Sequence, residues 1–357
     1  MNPVSGSFKI LHHGRGSIDL FIPNHKFDLT EDSITITQDS IGGIMEIPLE
    51  PYASSADKIS STVNLSKATS IFDCREGIGG GVINESREFV ENTLRDWKSH
   101  VLDLAIPAEI CTLPGSTVED YLTRLNLKPH FLGLYDMPVN IILRRDEGKL
   151  IIKSFQRGYS LDSELNEVQS FIEREQFSHT MISSAKDKDL VDLLSKEGEV
   201  TAVITKSLDR DYVLDELLGR CEAVIFNYEE FLWVMNDAGR GDENENFQPA
   251  IDHLRQLRDN YQGVVYVTLG NNGCLVSDQE GVKQIVLLPD AKGCAQDYIN
   301  KDPSIVNGVG DAFSAHVLKG QILGMKPDEI CLSASLGALF YLGLHNYNDK
   351  DFMRRVS

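Results

Sequence analysis

Two glycines and an aspartate stand together near the C-terminus, in the run Gly308-Val309-Gly310-Asp311. Apolar residues follow at helical spacing, so the pattern predicts a helix that begins at this run and stops before Gly324 and Pro327. Backbone N–H groups in the first turn of a helix are unpaired and favour negative charge, which suits a phosphate. An aspartate in that turn can accept a proton from an alcohol whose oxygen attacks a phosphoryl group. By itself, the run is equally compatible with an ordinary glycine turn before a helix.

A second glycine-rich turn, Gly79-Gly80-Gly81, precedes Asn84 and a segment with helical periodicity over residues 85–105. Glycines let a ligand approach the backbone, and Asn84 offers both a donor and an acceptor to hydroxyl groups. The alternative is a helix N-cap with flexible glycines. Asp19 comes just after the first predicted strand, residues 8–13, and is a further candidate for binding a hydroxyl. A dinucleotide fingerprint is disfavoured here, because Asp19 replaces its third glycine and no clean βαβ unit follows.

Two more polar segments follow apolar strands in the second half of the chain. Asn227 and Glu230 come directly after one strand, and the ends of parallel strands are where α/β proteins bind ligands. An amide and a carboxylate at this spacing could hold water around Mg²⁺, which keeps part of its hydration shell. The same spacing equally predicts a helix N-cap. Thr268, Gly270 and Gly273 form a turn that could line a nucleotide pocket or serve as an ordinary hairpin.

The elements that must position these residues alternate regularly after about residue 160. Such alternation is expected for a mostly parallel sheet with helices on both faces. The strands are predicted at 178–182, 200–205, 222–227, 263–269 and 274–277, and the helices at 186–195, 211–219 and 247–259. Before residue 160, alternating apolar and polar residues predict two hairpins, one over residues 34–47 and one over residues 139–155.

Composition and charge exclude several classes of function. The chain has 357 residues, a net charge of −20 and a pI near 4.8, so a nucleic-acid partner, which needs a basic surface, is not expected. The six cysteines are scattered without a C-x-x-C pair, which favours reduced thiols over disulfides or a zinc site. Neither a signal peptide nor an apolar run of membrane-spanning length is evident. We therefore expect a cytoplasmic protein with no membrane partner.

Taken in order, these segments resemble the ribokinase-like, or phosphofructokinase B (PfkB), family of carbohydrate kinases over essentially the whole chain. Each motif is weak by itself, and their common order makes the resemblance specific. The matching segments are Gly16 with Asp19 at the first sugar-contacting segment, Gly79-Gly80 with Asn84 at the GGxxxN motif, Asn227 with Glu230 at the NxxE motif, Thr268-Leu269-Gly270 with Gly273 at the TxGxxG segment, and Gly308-Val309-Gly310-Asp311 at the GAGD signature. Val309 replaces the alanine of the signature, and Ile305-Val306-Asn307 stands where members usually have Asp-Thr-x.

The resemblance implies an α/β fold, in which residues 1–357 form one three-layer α/β/α domain. A small β-sheet lid would come from about residues 20–50 and 133–156. The implied activity is MgATP-dependent transfer of the γ-phosphate to a hydroxyl of a sugar or nucleoside. Asp311 would be the base, and the amides of Gly308, Val309 and Gly310 the anion hole.

The resemblance also implies roles for the other motif residues. These are Asp19, Gly79, Gly80 and Asn84 for binding the acceptor, Asn227, Thr268, Gly270 and Gly273 for binding the nucleotide, and Glu230 for binding magnesium through water. The altered 305–307 run leaves dependence on a monovalent cation open. The long lid segment favours a homodimer through the lid, because exposed strand edges are often paired between subunits.

Two other functions stay open. One is a degenerate family member that binds a sugar or nucleotide as a sensor or partner protein without turnover. The altered 305–307 run favours it, whereas the presence of Asp311, Asn227 and Glu230 disfavours it. The other is an ADP-dependent kinase of the same superfamily, which is disfavoured because such chains are usually longer. The identity of the acceptor is not predicted.

Overall fold

Three sheets and a set of helices make up the part of the chain that the computed structural model describes. That part comprises residues 8–30, 32–48, 58–61, 65–91, 97–108, 110, 115–145, 148–154, 165–183, 188–196, 198–206, 208–237, 247–286 and 308–342. The strands are β1 Lys9–His13, β2 Ser17–Phe21, β3 Lys26–Leu29, β4 Ser33–Gln38, β5 Gly43–Pro48, β6 Lys58–Ser61, β7 Arg75–Gly79, β8 Lys98–Ile106, β9 Lys128–Asp136, β10 Val139–Arg145, β11 Gly148–Ser154, β12 His179–Ser183, β13 Glu199–Val203, β14 Ala223–Asn227, β15 Val264–Thr268, β16 Cys274–Asp278 and β17 Gly281–Ile285.

The helices lie between these strands and after them. They are α1 Ala68–Ile71, α2 Gly81–Glu91, α3 Val118–Arg124, α4 Leu165–Glu175, α5 Lys188–Leu194, α6 Arg210–Tyr212, α7 Tyr228–Val234, α8 Gln248–Arg258, α9 Val309–Ile322 and α10 Pro327–Tyr341. Helix α6 continues through a π-helical turn, Val213–Leu217, and a 3₁₀ turn, Leu218–Arg220. Two further 3₁₀ turns are Leu65–Lys67 and Gly270–Asn272.

The central sheet has nine strands in the order β17-β16-β15-β14-β13-β12-β1-β8-β9. The strands from β15 to β9 are parallel, and β16 and β17 pair antiparallel at one edge. Parallel neighbours need crossover connections, which helices usually supply. The alternation after residue 160 therefore predicts this sheet correctly, and the predicted α/β fold class is confirmed.

Helices cover both faces of the central sheet, which explains why its strands are apolar on both sides. Leu11 of β1 and Ile182 of β12 belong to one buried cluster, together with residues of α4, α5 and α8. Their neighbours in the chain, Ile10 and Met181, belong to another cluster with residues of α2, α9 and α10. Since successive side chains of a strand point to opposite faces, the sheet is the middle layer between two layers of helices.

Two smaller sheets accompany the central one. The first has the order β6-β11-β10-β2-β7, and the second, β3-β4-β5, is antiparallel throughout. Both predicted hairpins form, with Ile36 opposite Met45 and Ile142 opposite Ile151. The expected lid segment starts at about residue 133, but β9, which extends to Asp136, pairs with β8 in the central sheet. The first residues of that segment therefore belong to the central sheet.

One predicted helix is wrong in its second half. Residues 85–105 read as helical, but α2 ends at Glu91 and strand β8 begins at Lys98. Strand β8 pairs with β1 on one side and with β9 on the other, and Val101, Leu102 and Leu104 are buried within it. A strand buried on both faces carries no period-2 alternation, so its apolar run could not be distinguished from a buried helix.

The helix predicted after the Gly-x-Gly-Asp run is α9. It ends at Ile322, two residues before Gly324, whose φ of 64° is left-handed. Helix α10 then starts at Pro327, a position where proline loses no helical hydrogen bond. Phe313 and Val317 of α9 are buried, as the predicted apolar stripe requires. The signals at both ends of this helix therefore predict its extent correctly.

Within the described ranges, every helix is too short or too polar to span a lipid bilayer. Cys74, Cys221, Cys274 and Cys331 are free thiols, as predicted. Cys111 and Cys294 lie outside the described residues.

Candidate active site

A cleft of about 420 Å³ opens where the central sheet meets the five-stranded sheet. Its floor includes the carboxyl ends of the parallel strands β13, β14 and β15, the edge at which α/β sheets bind ligands. Helices α2 and α9 both begin at this cleft, so their unpaired N–H groups face it. The lining residues are Ser17, Asp19, Gly80, Gly81, Asn84, Asn140, Ile142, Ile151, Lys153, Val203, Thr205, Ile225, Phe226, Asn227, Glu230, Thr268, Gly308, Gly310, Asp311 and Ser314.

The start of α9 depends on a left-handed glycine. Gly308 is the N-cap residue, with a φ of 92°, and its carbonyl accepts a hydrogen bond of 2.8 Å from the Ala312 amide. A Cβ at Gly308 would collide with the hydroxyl of Tyr341, at the end of α10. Gly310 is the second residue of α9, exposed and with open space around it. The backbone of this turn is therefore accessible to an anion, and its conformation needs glycine at position 308.

Asp311 and Asn84 meet across the cleft. The Asn84 Nδ2 group donates to Asp311 Oδ2 at 2.8 Å, and Arg87 donates to Asn84 Oδ1 at 3.3 Å. Arg87 also donates to the Tyr341 hydroxyl, at 3.4 Å. Because a guanidinium can only donate and a carboxylate can only accept, these neighbours dictate which way the Asn84 amide points. The aspartate predicted to be the base is thus held by the second glycine motif.

A second carboxyl group, Glu85, lies next to this pair and is fully buried. Ser183, at the end of β12, donates a hydrogen bond from its Oγ to Glu85 Oε2. Burial raises the pKa of Glu85 well above its usual value, and the negative charge of Asp311 raises it further. Both effects favour the protonated, neutral form of Glu85.

Asp19 is held by two donors at one of its oxygens. Asn140 Nδ2 lies 2.8 Å from Asp19 Oδ1, and Ser17 Oγ lies 2.9 Å from the same atom. Asn140 is opposite Asp19 in the parallel pairing of β10 with β2. Asp19 itself is buried, so this orientation is maintained by the sheet rather than by solvent. A carboxylate can accept hydrogen bonds from hydroxyl groups, so a role of Asp19 in binding a hydroxyl stays a prediction.

Asp103 supports the loop that leads from β1 to Asp19. Its carboxylate accepts hydrogen bonds from the Gly16 amide at 2.7 Å, the Ala105 amide at 3.0 Å and the Tyr135 hydroxyl at 3.2 Å. Burial raises the pKa of Asp103 to about 6, although these three donors lower it. Asp103 does not line the cleft, and it acts by fixing the backbone that carries Ser17 and Asp19.

On the other side of the cleft, Asn227 and Glu230 form a capping box at the start of α7. Asn227 Oδ1 accepts from the Glu230 amide at 2.7 Å, and Glu230 Oε2 accepts from the Asn227 amide at 3.1 Å. The helix-cap interpretation of this spacing is thus confirmed, while a role in metal binding stays a prediction. Thr268 Oγ1 donates to the carbonyl of Phe226 at 3.4 Å, which joins the ends of β15 and β14.

Most of the predicted site residues line the cleft, and four do not. Gly270 and Gly273 have φ values of 57° and 96° and form the turn between β15 and β16. Gly79 ends β7, and Val309 is the first residue of α9. Gly79 and Val309 are adjacent in the chain to lining residues, whereas Gly270 and Gly273 follow the lining residue Thr268 in the turn after β15. The residues brought together are Asp19, Gly80, Asn84, Asn227, Glu230, Thr268, Gly308, Gly310 and Asp311.

Several lining residues were missed in the sequence. Asn140 and Ile142 lie two residues apart on β10, so they face the same side of the strand, and Lys153 is opposite Asn140 on β11. The signal for Asn140 was present, because it is a polar residue between the apolar residues Val139 and Ile141. Glu85 and Arg87 carried no such signal, since charged residues are normal in an amphipathic helix.

Known proteins resemble this chain in sequence pattern and in fold. The model of the pfkB family carbohydrate kinases matches residues 153–345. An adenosine kinase from Sinorhizobium meliloti has a TM-score of 0.63 at 14% identity, covering 99% of this chain and 100% of that one. A Burkholderia thailandensis nucleoside kinase in complex with inosine has a TM-score of 0.61 at 14% identity, covering 95% and 90%. A ribokinase from Cryptococcus neoformans in complex with ADP has a TM-score of 0.57 at 14% identity, covering 94% and 93%.

No curated protein matches the chain at the level of sequence. The three solved structures are similar to it over nearly its whole length, and at this low identity the likeness concerns the fold.

Proposed function

We propose that this chain, which belongs to the pfkB family of carbohydrate kinases, transfers the γ-phosphate of ATP to a hydroxyl group of a sugar or nucleoside. Its family makes it a phosphotransferase with an alcohol group as acceptor. The observation that carries the proposal is the position of Asp311. It lies in the first turn of α9, beside the amides of residues 308–310, and faces a cleft whose opposite wall holds Asp19.

Asp311 is the proposed base. It accepts the proton of the acceptor hydroxyl while that oxygen forms a bond to the γ-phosphorus and the bond from phosphorus to the bridging oxygen of ADP breaks. The amides of Gly308, Val309 and Gly310 donate to the oxygens of the phosphoryl group, where negative charge is concentrated during transfer. Asn84, which donates to Asp311 at 2.8 Å, keeps the carboxylate in place for this step.

The five-stranded sheet supplies the proposed acceptor site. Asp19, oriented by Asn140 and Ser17, accepts hydrogen bonds from the other hydroxyl groups of the acceptor. Ile142 and Ile151 form an apolar cross-strand pair at the same wall of the cleft. This combination supports an acceptor with neighbouring hydroxyls and one apolar face, as in a sugar or a nucleoside. Closure of this sheet as a lid would exclude water, which competes as an acceptor.

The nucleotide and its metal fit the wall of the cleft that Asn227, Glu230 and Thr268 form. Among the described residues, no group of three or more His, Cys, Asp or Glu side chains converges as a set of metal ligands. Glu230, a single carboxylate at the cleft, fits a magnesium ion that is held mainly by water and phosphate oxygens. Bound magnesium would neutralise phosphate charge. Asn227 and Thr268 are the proposed nucleotide contacts on this wall, with the backbone of the turn at Gly270 and Gly273.

The test is ADP release from MgATP across ketoses, aldoses, sugar acids, phosphosugars and nucleosides, with Asp311→Asn alongside. We expect one acceptor class to stimulate release, and we expect Asp311→Asn to lower that rate at least about a hundredfold, the usual contribution of a general base. Asp328→Asn is the matched control, because Asp328 also lies in the first turn of a helix but outside the cleft. A fully active Asp311→Asn protein would overturn the assignment of the base.

The alternatives give different results in the same experiment. Saturable binding of a sugar or nucleotide in a thermal-shift assay, with no ADP release for any acceptor, would favour a binding protein without turnover. Activity with ADP and not with ATP would favour the ADP-dependent alternative. Assays with and without potassium test dependence on a monovalent cation, and light scattering tests the expected homodimer.

A further inference from the structure

Glu85 is a buried carboxyl group for which the proposed chemistry has no use. It follows Asn84 in α2, and none of its surface is exposed. Oε2 accepts a hydrogen bond from Ser183, whereas Oε1 is buried and has no hydrogen-bond partner within the described part of the chain. A buried ionised carboxylate with so few donors is costly, so its presence at the active site requires an explanation.

Glu85 lies on the side of α2 that adjoins Asp311. Gly81 is four residues before Glu85, so the two share a face of the helix. A Cβ at Gly81 would lie 3.0 Å from Ser183 Cβ and 3.9 Å from Asp311 Oδ1. Ser183, the partner of Glu85, and the proposed base therefore both lie next to Gly81. The absence of a side chain at position 81 makes this approach feasible.

The charges around Glu85 favour its neutral form. Asp311 faces it from α9 and is the charge that raises its pKa, after burial itself. Strand β1, which packs beneath α2, contributes His12 on that face, and burial lowers the pKa of His12 to about 3, so it is neutral at neutral pH. On α2, Arg87 is directed to Asn84 and Tyr341, and Glu88 lies 3.6 Å from His316 of α9. Ser183 of β12 is uncharged.

We propose that Glu85 is a positioning residue that works as a neutral acid. Its hydrogen bond with Ser183 joins α2, at the residue after Asn84, to the end of β12, and this places Asn84 where its amide meets Asp311. Because the group is uncharged, it adds no second negative charge beside the base or the incoming phosphates. The inference rests on the proposed function, since it takes Asp311 as the base.

An isosteric series separates the two parts of this proposal. Glu85→Gln keeps the size and hydrogen-bonding capacity of a neutral acid, whereas Glu85→Met keeps the length but cannot hold Ser183. We expect Glu85→Gln to keep kcat and KM within about twofold of the wild type at pH 7.5, with the acceptor that the panel identifies. We expect Glu85→Met to lower kcat at least about tenfold with a smaller change in KM, because the hydrogen bond that aligns α2 is lost and its free energy corresponds to about that factor in rate. Rescue by glutamine is the signature of positioning.

The protonation state has a readout that needs no activity. A glutamate that is neutral in the folded protein binds a proton that the unfolded chain releases above its ordinary pKa, so rising pH favours unfolding. Glutamine does not titrate. In urea denaturation between pH 5 and pH 9, the wild type should therefore lose stability relative to Glu85→Gln by about tenfold in the folding constant per pH unit, until Glu85 ionises in the folded state. Glu85→Met, which also has no titrating group at this position, should show the same trend relative to the wild type.

Each result decides something different. A Glu85→Gln protein that is as inactive as Asp311→Asn would mean that an ionisable carboxylate is required, and a Glu85→Met protein with wild-type kcat would exclude positioning. A stability difference independent of pH would mean that Glu85 is ionised. If Asp311→Asn remains active, the proposed function fails. If Asp311→Asn is inactive and the pH trend is absent, this inference alone fails.

Discussion

At the scale of single residues, the orientation of one amide links the two glycine motifs. Asn84 was predicted to bind a hydroxyl of the acceptor, and the structure places it against Asp311. Arg87, three residues later on α2, contacts the oxygen of the same amide at 3.3 Å. Residues three apart on a helix are neighbours, so the pair could have been found from the sequence, but nothing local showed that Asn84 would point to Asp311.

Replacing Arg87 tests whether this orientation matters. In Arg87→Met the Asn84 amide loses the donor that fixes its oxygen, and we expect kcat to fall roughly tenfold, about the free energy of one hydrogen bond, with a smaller change in KM. Steady-state kinetics with the identified acceptor provide the measurement. Arg255→Met is the control, since Arg255 is exposed on α8 and pairs with Asp252 of the same helix. Equal kinetics for the two variants would show that Asn84 holds its position without Arg87.

At the scale of elements, the start of α9 shows how backbone conformation and packing jointly require one residue type. The φ of 92° at Gly308 is a region that L-residues with a Cβ avoid. The hydroxyl of Tyr341 occupies the space that a Cβ would need. Helix α10 therefore packs against the first turn of α9, which presents the proposed anion hole.

Gly308→Ala should accordingly destabilise the folded protein and lower its activity. The left-handed backbone costs about 1–2 kcal/mol for a residue with a Cβ, and the collision with Tyr341 adds about 1–3 kcal/mol as overpacking. Chemical denaturation measures the loss. Gly310→Ala is the control for stability, because Gly310 lies in the first turn of α9 with open space around it and has a helical backbone that alanine adopts without strain. Equal stability of the two variants would contradict the argument.

The elements differ in how well the sequence predicted them. Helix α9 was predicted at both ends because glycine and proline act within a few residues. The strand β8 was mistaken for the continuation of a helix, because it is buried on both faces between β1 and β9. The capping box of Asn227 and Glu230 was recognised as one of two interpretations, and the structure confirms the cap.

At the scale of the whole molecule, buried histidines shape the response to acid. His12 is fully buried beneath α2, its ring 5.3 Å from that of Phe89, and both of its nitrogens are without a hydrogen-bond partner in the described part of the chain. Burial lowers the pKa of His12 to about 3. In the unfolded chain a histidine has a pKa near 6.5, so below that pH the unfolded chain binds a proton at His12 that the folded protein does not bind. The folded state therefore loses stability as the pH falls from about 6.5 towards the pKa of His12 in the folded protein.

His12→Leu should remove this acid sensitivity. At pH 8 we expect a gain of about 1–3 kcal/mol, because a buried polar ring without partners is replaced by an apolar side chain of similar size. At pH 5 the gain should be about 2 kcal/mol larger, because the unfolded wild type binds a proton there and the folded state does not. Denaturant titrations at the two pH values provide the measurement, with His25→Leu as the control at a partly exposed position. A gain that does not depend on pH would mean that His12 is protonated in the folded protein.

The local parts of this protein could be predicted from its residues: the glycine turns, the helix starts that follow them, the alternation that builds a parallel sheet, and the order of motifs that indicates a carbohydrate kinase. These signals act over a few residues, where backbone sterics and side-chain period decide the structure. Which groups meet became clear from the folded chain. Asn84 and Asp311 are 227 residues apart in the chain, and Asp19 and Asn140 are 121 apart. Such contacts depend on strand order and on which helices begin at the same edge of the sheet, and neither can be predicted from residue spacing.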